Sequence, residues 1–205
     1  MNKVIRRLAW CAALCAAPLS AWADFSGPYA PANWTTTTSG SPPAGGGTVD
    51  ASGAPASITL VGGDAGCVAD PANPCRLDYT IAMPATGTVS FDWQYQTVDF
   101  APDFDLFLVL SNGSAIQLSD DLGGNTQSGS YSLPVTAGQV VGFRLDCNDC
   151  AGGAATVTIS NFSGPLPAPA AAVQPVPTLE VWGMGALMAL LGWLGAARLR
   201  RPRAD

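Results

Sequence analysis

The sequence predicts an all-β protein, an antiparallel β-sandwich of jelly-roll or CUB-like kind, with helix expected only at the two ends of the chain. In residues 88–96, Val, Phe, Trp and Tyr alternate with Ser, Asp and Gln, which is the period of a strand with one buried face. Short apolar runs separated by turn residues recur between residues 56 and 162, and none shows a helical period.

These runs define the individual strands. We expect eight, at residues 57–61, 76–83, 87–97, 103–110, 115–118, 128–135, 139–146 and 154–162. Residues 103–110 are apolar on both faces after their start, as in a central strand, and Asn112-Gly113 then predicts a hairpin turn. The alternation assigns Trp93 and Tyr95 to the core rather than to an exposed sugar-binding face.

The first 23 residues have the pattern of a secretory signal peptide. Lys3, Arg6 and Arg7 precede an apolar segment that ends in Ala21-Trp22-Ala23. This small-x-small sequence predicts cleavage before Asp24, so residues 1–23 would be removed on export.

The segments on either side of the predicted sandwich have a distinct composition. Residues 24–55 are rich in Pro, Gly, Thr and Ser, which predicts an irregular N-terminal arm with at most a short strand near Trp34. The sandwich itself would occupy residues 56–164. Residues 165–175 are rich in Pro and Ala and predict a semi-rigid polyproline spacer.

The charge of the predicted ectodomain excludes several functions. Residues 24–165 contain thirteen aspartates and two arginines, with no glutamate or lysine, which gives a net charge of −11. Nucleic acid is therefore not expected as a partner, because phosphate binding needs a basic surface. The chain has no histidine, so Ser–His and Cys–His nucleophiles and imidazole metal ligands are excluded as well. We expect a protein that is not an enzyme.

Aspartates in loops are the remaining candidates for a site. Asp99, Asp103 and Asp105 form the densest group, and Asp120 and Asp121 follow in a later loop. Such carboxylates at one end of a sandwich can supply the oxygen ligands that Ca²⁺ prefers, so a calcium site is one hypothesis. A solvated acidic rim that keeps the protein soluble is the simpler alternative. Paired aspartates of a hydrolase would need an apolar pocket, which no sequence feature indicates.

Four cysteines follow the predicted signal peptide, at Cys67, Cys75, Cys147 and Cys150. An even number of cysteines in an oxidising compartment predicts structural disulfides. A bond between Cys67 and Cys75, closing a turn-rich insert, is the simplest pairing. Cys147 and Cys150 form either a tight local disulfide or a redox pair, and the neighbouring aspartates disfavour the thiolate that a redox pair needs. Crossed pairings between the two pairs also remain open.

The C-terminal tail contains the longest uncharged apolar run. Residues 181–197 carry no charge over seventeen residues, roughly 25 Å of helix, which is near the lower limit for a membrane span. The run has no polar stripe, which argues against a helix buried in a globular core. Arg198, Arg200, Arg201 and Arg203 follow as a basic tail at 198–203, so the positive-inside rule places the ectodomain on the outer side of the membrane.

The residues ahead of this run carry a motif. It consists of Val176, Pro177, Thr178, Leu179, Trp182 and Gly183. With the apolar run and the basic tail, the segment 176–203 resembles the IPTL-CTERM sorting signals of Gram-negative bacteria, with Val176 in place of Ile. The resemblance implies a substrate of an exosortase-type processing enzyme. It also implies a precursor on the periplasmic side of the inner membrane, and then a protein at the cell surface or outside the cell.

A looser similarity concerns the middle of the chain. It is carried by residues 89–95, by Asp103-Phe104-Asp105, and by residues 138–146 and 158–162. These segments resemble the ectodomains that precede PEP-CTERM-type signals, and the resemblance supports the fold alone.

Together these features predict an exported surface protein with a non-enzymatic role in surface, matrix or exopolysaccharide association. One alternative is a Ca²⁺-dependent carbohydrate- or protein-binding module. Another is a hydrolase that uses paired aspartates. Apart from a possible Ca²⁺ ion, no cofactor is expected.

Overall fold

The computed structural model describes residues 24–40, 46–64, 75–148, 150, 152–168 and 181–199. The chain divides into two compact units, Met1–Pro167 and Ala168–Asp205. The described part of the first unit is an antiparallel β-sandwich, and the described part of the second is one helix.

The sandwich has two five-stranded sheets. Its strands are β1 (Thr35–Ser39), β2 (Gly47–Asp50), β3 (Ser57–Gly62), β4 (Cys75–Ala82), β5 (Gly87–Gln96), β6 (Asp105–Ser111), β7 (Ser114–Gln117), β8 (Thr126–Val135), β9 (Val140–Cys147) and β10 (Thr156–Ser163). Sheet 1 has the order β1-β4-β9-β6-β7, and sheet 2 has the order β2-β3-β10-β5-β8. The predicted antiparallel sandwich is confirmed.

All eight predicted strands are present, with small shifts at their ends. One of these shifts, by two residues, concerns the strand expected from residue 103. Pro102–Phe104 forms a 3-10 turn instead, and β6 begins at Asp105. Proline fixes φ near the helical value, which favours this turn. The hairpin predicted at Asn112-Gly113 is confirmed, and both residues have a positive φ, 49° and 81°.

The arm over residues 24–55 contains the short strand expected near Trp34, but it is more regular than predicted. This segment contributes β1 and β2, which form one edge of each sheet, and β1 pairs with β4 from Thr35↔Thr80 to Ser39↔Arg76. Composition misled the prediction because an edge strand needs one hydrogen-bonded neighbour and little apolar surface of its own. The neighbouring strand supplies that partner only in the folded protein.

Trp34 anchors the arm between the sheets. Its ring stacks on Tyr79 of β4 at 4.7 Å and on Phe143 of β9 at 5.7 Å. Its edge meets Phe162 of β10, which belongs to sheet 2, at 5.7 Å. The indole N–H donates to the Tyr29 carbonyl oxygen at 2.9 Å, so the polar atom of this buried side chain is satisfied. One side chain thus joins the arm to both sheets.

The C-terminal helix, α1, spans Val181–Leu199. Within the part of the chain that the structure describes, no helix is both long and apolar enough to cross a membrane. The membrane span predicted over 181–197 is therefore not confirmed.

The role of Trp34 can be tested by truncation. We expect Trp34→Ala to lower the free energy of unfolding by about 3–5 kcal/mol, because a large buried ring is lost from between two sheets. Urea denaturation of the full chain in neutral detergent, followed by near-UV circular dichroism, measures this change. Thr36→Ala, on the exposed face of the same arm, is the control and should change it by less than about 0.5 kcal/mol. Equal free energies of unfolding for the two variants would contradict the role of Trp34 as the anchor of the arm.

Buried tyrosines predict a loss of stability at alkaline pH. Burial raises the pKa of Tyr29 and that of Tyr79 from 10.0 to about 12. The unfolded chain releases these protons at lower pH than the folded chain, so stability should be complete below about pH 9 and fall towards pH 12. Urea midpoints across this range measure the decline. Tyr79→Phe should make the decline of the urea midpoint with pH shallower. An unchanged slope would contradict the assignment of this decline to the buried tyrosines.

Candidate functional site

Four connections of the sandwich meet at one end, which we call the loop end. They join β3 to β4, β5 to β6, β7 to β8 and β9 to β10, and the structure describes residues 97–104 and 118–125 in full. The register shows that they meet there, because Gln96 pairs with both Thr126 and Thr156, and Cys147 pairs with both Cys75 and Asp105. Loops gathered on a rigid sandwich are the usual position of binding residues in this class of fold.

The buried polar side chains of the described residues also lie at the loop end. These are Thr97, Asp99, Asp105, Ser119 and Asp146. A buried polar group costs free energy unless it is hydrogen-bonded, so such a concentration requires an organised network.

Asp105 is the centre of that network. The Thr97 hydroxyl donates to Asp105 Oδ2 at 2.8 Å, and the Tyr95 hydroxyl donates to the Asp105 carbonyl oxygen at 2.9 Å. Thr97 Oγ1 in turn accepts the backbone N–H of Asp99 at 3.1 Å. Burial first, and then the charge of Asp105, raise the pKa of Tyr95 well above its usual range. These bonds fix the start of the 97–104 connection to β6.

Asp99 links three of the connections. Its Oδ1 accepts the backbone N–H of Phe100 at 2.5 Å, and its carbonyl oxygen accepts the Asn125 side-chain amide at 2.7 Å. Gly152 lies directly against the carboxylate, since a Cβ there would be 2.0 Å from Asp99 Oδ1. Only glycine fits this close approach.

Asp120 organises the 118–125 connection. Its Oδ1 accepts the Leu122 N–H at 3.0 Å, and its backbone N–H and C=O both bond to the Gln127 amide, at 2.7 and 2.8 Å. Gln117 Nε2 donates to Asp121 Oδ1. The loop is therefore held by its own side chains.

The structure does not assemble the predicted calcium ligands. Within the described ranges, no group of three or more His, Cys, Asp or Glu side chains could hold a metal ion. Asp99, Asp103 and Asp105 all lie at the loop end, as predicted. Asp99 and Asp105 are buried there and take part in the hydrogen bonds described above. Asp103 lies on the exposed 3-10 turn, where its carbonyl oxygen accepts the Asn148 amide at 2.6 Å.

The cysteines also lie at the loop end. Cys147 and Cys150 are bonded to each other, which confirms the local disulfide and excludes the crossed pairings. Cys75 is buried opposite Cys147 and is disulfide-bonded too. Cys67 lies outside the described residues, so its predicted bond to Cys75 stays a prediction.

A second polar feature lies on the outer face of sheet 1. A cleft of about 230 Å³ is lined by Thr37, Thr38, Ser39, Arg76, Asp78 and Arg144. Arg144 binds Asp78 through two bonds of 2.6 and 2.7 Å, and Arg76 binds Asp146 at 2.7 Å. The hydrogen bond to Asp78 raises the pKa of Arg144. Since both guanidinium groups are already paired with carboxylates, the cleft offers a ligand little net charge.

Sequence reasoning missed the exposed apolar side chains of the loop end. Val98, Phe100 and Leu122 are 68%, 91% and 96% exposed. We call these three residues the apolar tips. Their signal in the sequence is a single apolar residue beside aspartates in a loop, as in Val98-Asp99-Phe100 and Asp120-Asp121-Leu122.

Most residues of the predicted processing sites lie outside the described part of the chain. Those outside it are Ala21, Ala23, Val176, Pro177, Thr178, Leu179, Arg200, Arg201 and Arg203. Asp24 is the first described residue, and Trp182, Gly183 and Arg198 lie within α1.

Comparison with known structures finds several β-proteins of low similarity. The CBM4 structure is 14% identical, with 68% of this chain and 92% of that chain covered and a TM-score of 0.36. A family 35 carbohydrate binding module from Clostridium thermocellum is 12% identical, with coverages of 61% and 97% and a TM-score of 0.31. The Podospora anserina GH26-CBM35 β-(1,4)-mannanase is 18% identical, with coverages of 66% and 29% and a TM-score of 0.31. Such low TM-scores support no functional argument. A comparison with curated proteins finds no match.

The tail gives a definite match. Residues 174–201 match the IPTL-CTERM motif, a C-terminal sorting-signal family, and this range includes all six predicted motif residues. The predicted resemblance is confirmed, and a C-terminal sorting signal indicates an exported protein.

Proposed function

We propose that this chain is a surface protein whose tail is recognised and cleaved by an exosortase-type processing enzyme. The observation that carries the proposal is the IPTL-CTERM match at 174–201. In this proposal the signal peptide 1–23 directs export, and the precursor is held at the periplasmic side of the inner membrane. Cleavage then delivers the sandwich to the cell surface or beyond.

The sandwich is complete before the motif begins, which supports this order of events. Its last strand ends at Ser163, and the Tyr29 hydroxyl donates to the Pro165 carbonyl oxygen at 2.7 Å. Pro165 also packs against Gly87, where a Cβ would lie 2.7 Å from it. The sorting motif starts at Val176, so a protease-like groove can bind it without breaking any of these contacts.

For the sandwich itself we propose a non-enzymatic role in surface, matrix or exopolysaccharide association. The absence of histidine removes the commonest general base from the chain. The buried aspartates of the loop end bond to Thr97 and to the Phe100 backbone, and these bonds give them a structural role. No specific observation favours the calcium-dependent module or the aspartate hydrolase.

The processing proposal predicts a defined C-terminus for the mature protein. In the native host, intact mass and terminal peptides should show an N-terminus at Asp24 and a C-terminus within 176–183. Pro177→Ala, or deletion of the candidate enzyme gene, should leave a chain ending at Asp205, because proline holds the preceding residue in the extended form that a protease groove binds.

Glu180→Gln is the matched control, because Glu180 lies between the motif residues without being one of the six, and this variant should be processed like the wild type. A C-terminus at Asp205 in every strain would overturn the proposal. Cleavage that continues without the enzyme gene would assign it to another protease.

A further inference from the structure

We propose that strand β8 is the contact between two copies of this chain, which pair edge to edge in antiparallel orientation about a two-fold axis at Ser130. Sheet 2 of one copy then continues into sheet 2 of the other as one sheet. The inference goes beyond the proposed processing and does not depend on cleavage of the tail.

Strand β8 is the long edge strand of the described sandwich. It spans ten residues, Thr126–Val135, whereas the edge strands β1, β2 and β7 span four or five. It pairs with β5 residue for residue, from Gly87↔Val135 to Gln96↔Thr126, and contains no charged residue. Short length, bulges and charges normally keep an edge strand from pairing with another chain, so β8 lacks this protection except for Pro134 near its end.

Every second residue of β8 directs its backbone N–H and C=O away from sheet 2. The Thr97 N–H donates to the Asn125 carbonyl oxygen at 2.9 Å, so residue 125 and, by the alternation of an antiparallel ladder, the odd-numbered residues of β8 bond to β5. Pro134 agrees with this assignment, because a proline has no N–H and is tolerated in a strand where that position faces outward. The residues whose backbone groups face outward, and whose side chains are also exposed, include Thr126, Ser128, Ser130 and Ser132.

The order of these outward groups is self-complementary. With the two-fold axis at Ser130, each Ser130 bonds to its counterpart, Ser128 lies opposite Ser132 of the other copy, and Thr126 lies opposite Pro134. The two strands then form about eight interchain backbone hydrogen bonds, because the proline, which lacks a donor, lies at the outermost position. Moving the axis to Ser128 or Ser132 leaves fewer bonds, since part of β8 then extends beyond its partner.

The inner face of β8 fits the same register. The indole of Trp93 keeps position 129 small, because a Cβ on Gly129 would lie 3.1 Å from three of its ring atoms. Tyr131 is half-buried, with its ring centroid 6.0 Å from that of Phe91. In the paired strands Tyr131 of each copy lies opposite Gly129 of the other, where an aromatic ring covers the backbone that a glycine leaves open.

The charge distribution is compatible with contact between two copies at this edge. Residues 24–165 carry a net charge of −11, so two copies repel each other in most orientations. Strand β8 is uncharged, and Asp92 on the neighbouring strand β5 accepts hydrogen bonds from Ser130 and Asn161. An unrelated extended peptide would match the outward backbone groups but not the pairing of Tyr131 with Gly129, which favours a second copy.

The register predicts a specific cross-link. Ser130→Cys places the two introduced thiols opposite each other, with Cα atoms about 5.5 Å apart, a separation that suits a disulfide. Ser132→Cys is the matched control, because its two thiols lie about 14 Å apart along the paired strands, which is too far for a bond. The full chain is oxidised in neutral detergent, and the linked peptides are identified by mass. We expect a dimer linked through residue 130 and none linked through residue 132.

Two further substitutions measure the strength of the contact. Ser130→Pro removes the donor at the axis from both copies without touching the ladder to β5, and it should weaken dimerisation about thirtyfold. Ser130→Lys places like charges at the axis and should weaken dimerisation about tenfold. Gln94→Lys, exposed on the same face of β5, is the control and should dimerise like the wild type, because its charges are screened over the greater distance between them.

Sedimentation velocity of the full chain at several concentrations, in the same detergent, measures the dissociation constant, and near-UV circular dichroism verifies that each variant is folded. If the proline variant does not fold, the lysine variant and the cross-link decide the question.

Three results would overturn the inference. They are a monomer at every concentration, equal cross-linking of the two cysteine variants, and a dimer whose dissociation constant does not change in the folded Ser130 variants. The last result would place the contact elsewhere, for example in α1. Processing of the tail is measured separately by mass, so these results bear on the β8 contact alone.

Discussion

The stack of aromatic rings around Trp34 is the contact on which the sandwich depends. Tyr79 and Phe143 lie on one sheet and Phe162 on the other, and Trp34 contacts all three from the N-terminal arm. Phe25 extends the stack at 4.9 Å from Phe162. Because the arm also supplies an edge strand to each sheet, this cluster joins the arm to both sheets and to the core between them.

The loop end follows a different physical rule, because its shape depends on buried polar groups rather than on apolar packing. Asp105 and Asp99 are buried and hydrogen-bonded to Thr97, Phe100 and Asn125. Removing one partner of such a network leaves a buried polar group unsatisfied, which costs about 1–3 kcal/mol.

The sorting motif and the loop end are built in different ways. The tail carries a motif that is read as a linear peptide, so its information lies in residue type and spacing at 174–201. The loop end depends on residues from connections far apart in the chain. The last strand of the sandwich ends at Ser163, before the motif match begins at residue 174.

The sequence by itself determined the antiparallel sandwich, eight of its ten described strands and the sorting motif, because alternation, turn residues and a linear motif are local properties. The tertiary structure decided the rest. It turned the Thr-rich arm into two edge strands, since a strand partner exists only after folding. It also placed Asp99 and Asp105 in buried hydrogen bonds, and it exposed Phe100. Burial and side-chain direction in a loop depend on neighbours distant in sequence, such as Asn125 and Gly152, and no local pattern encodes them.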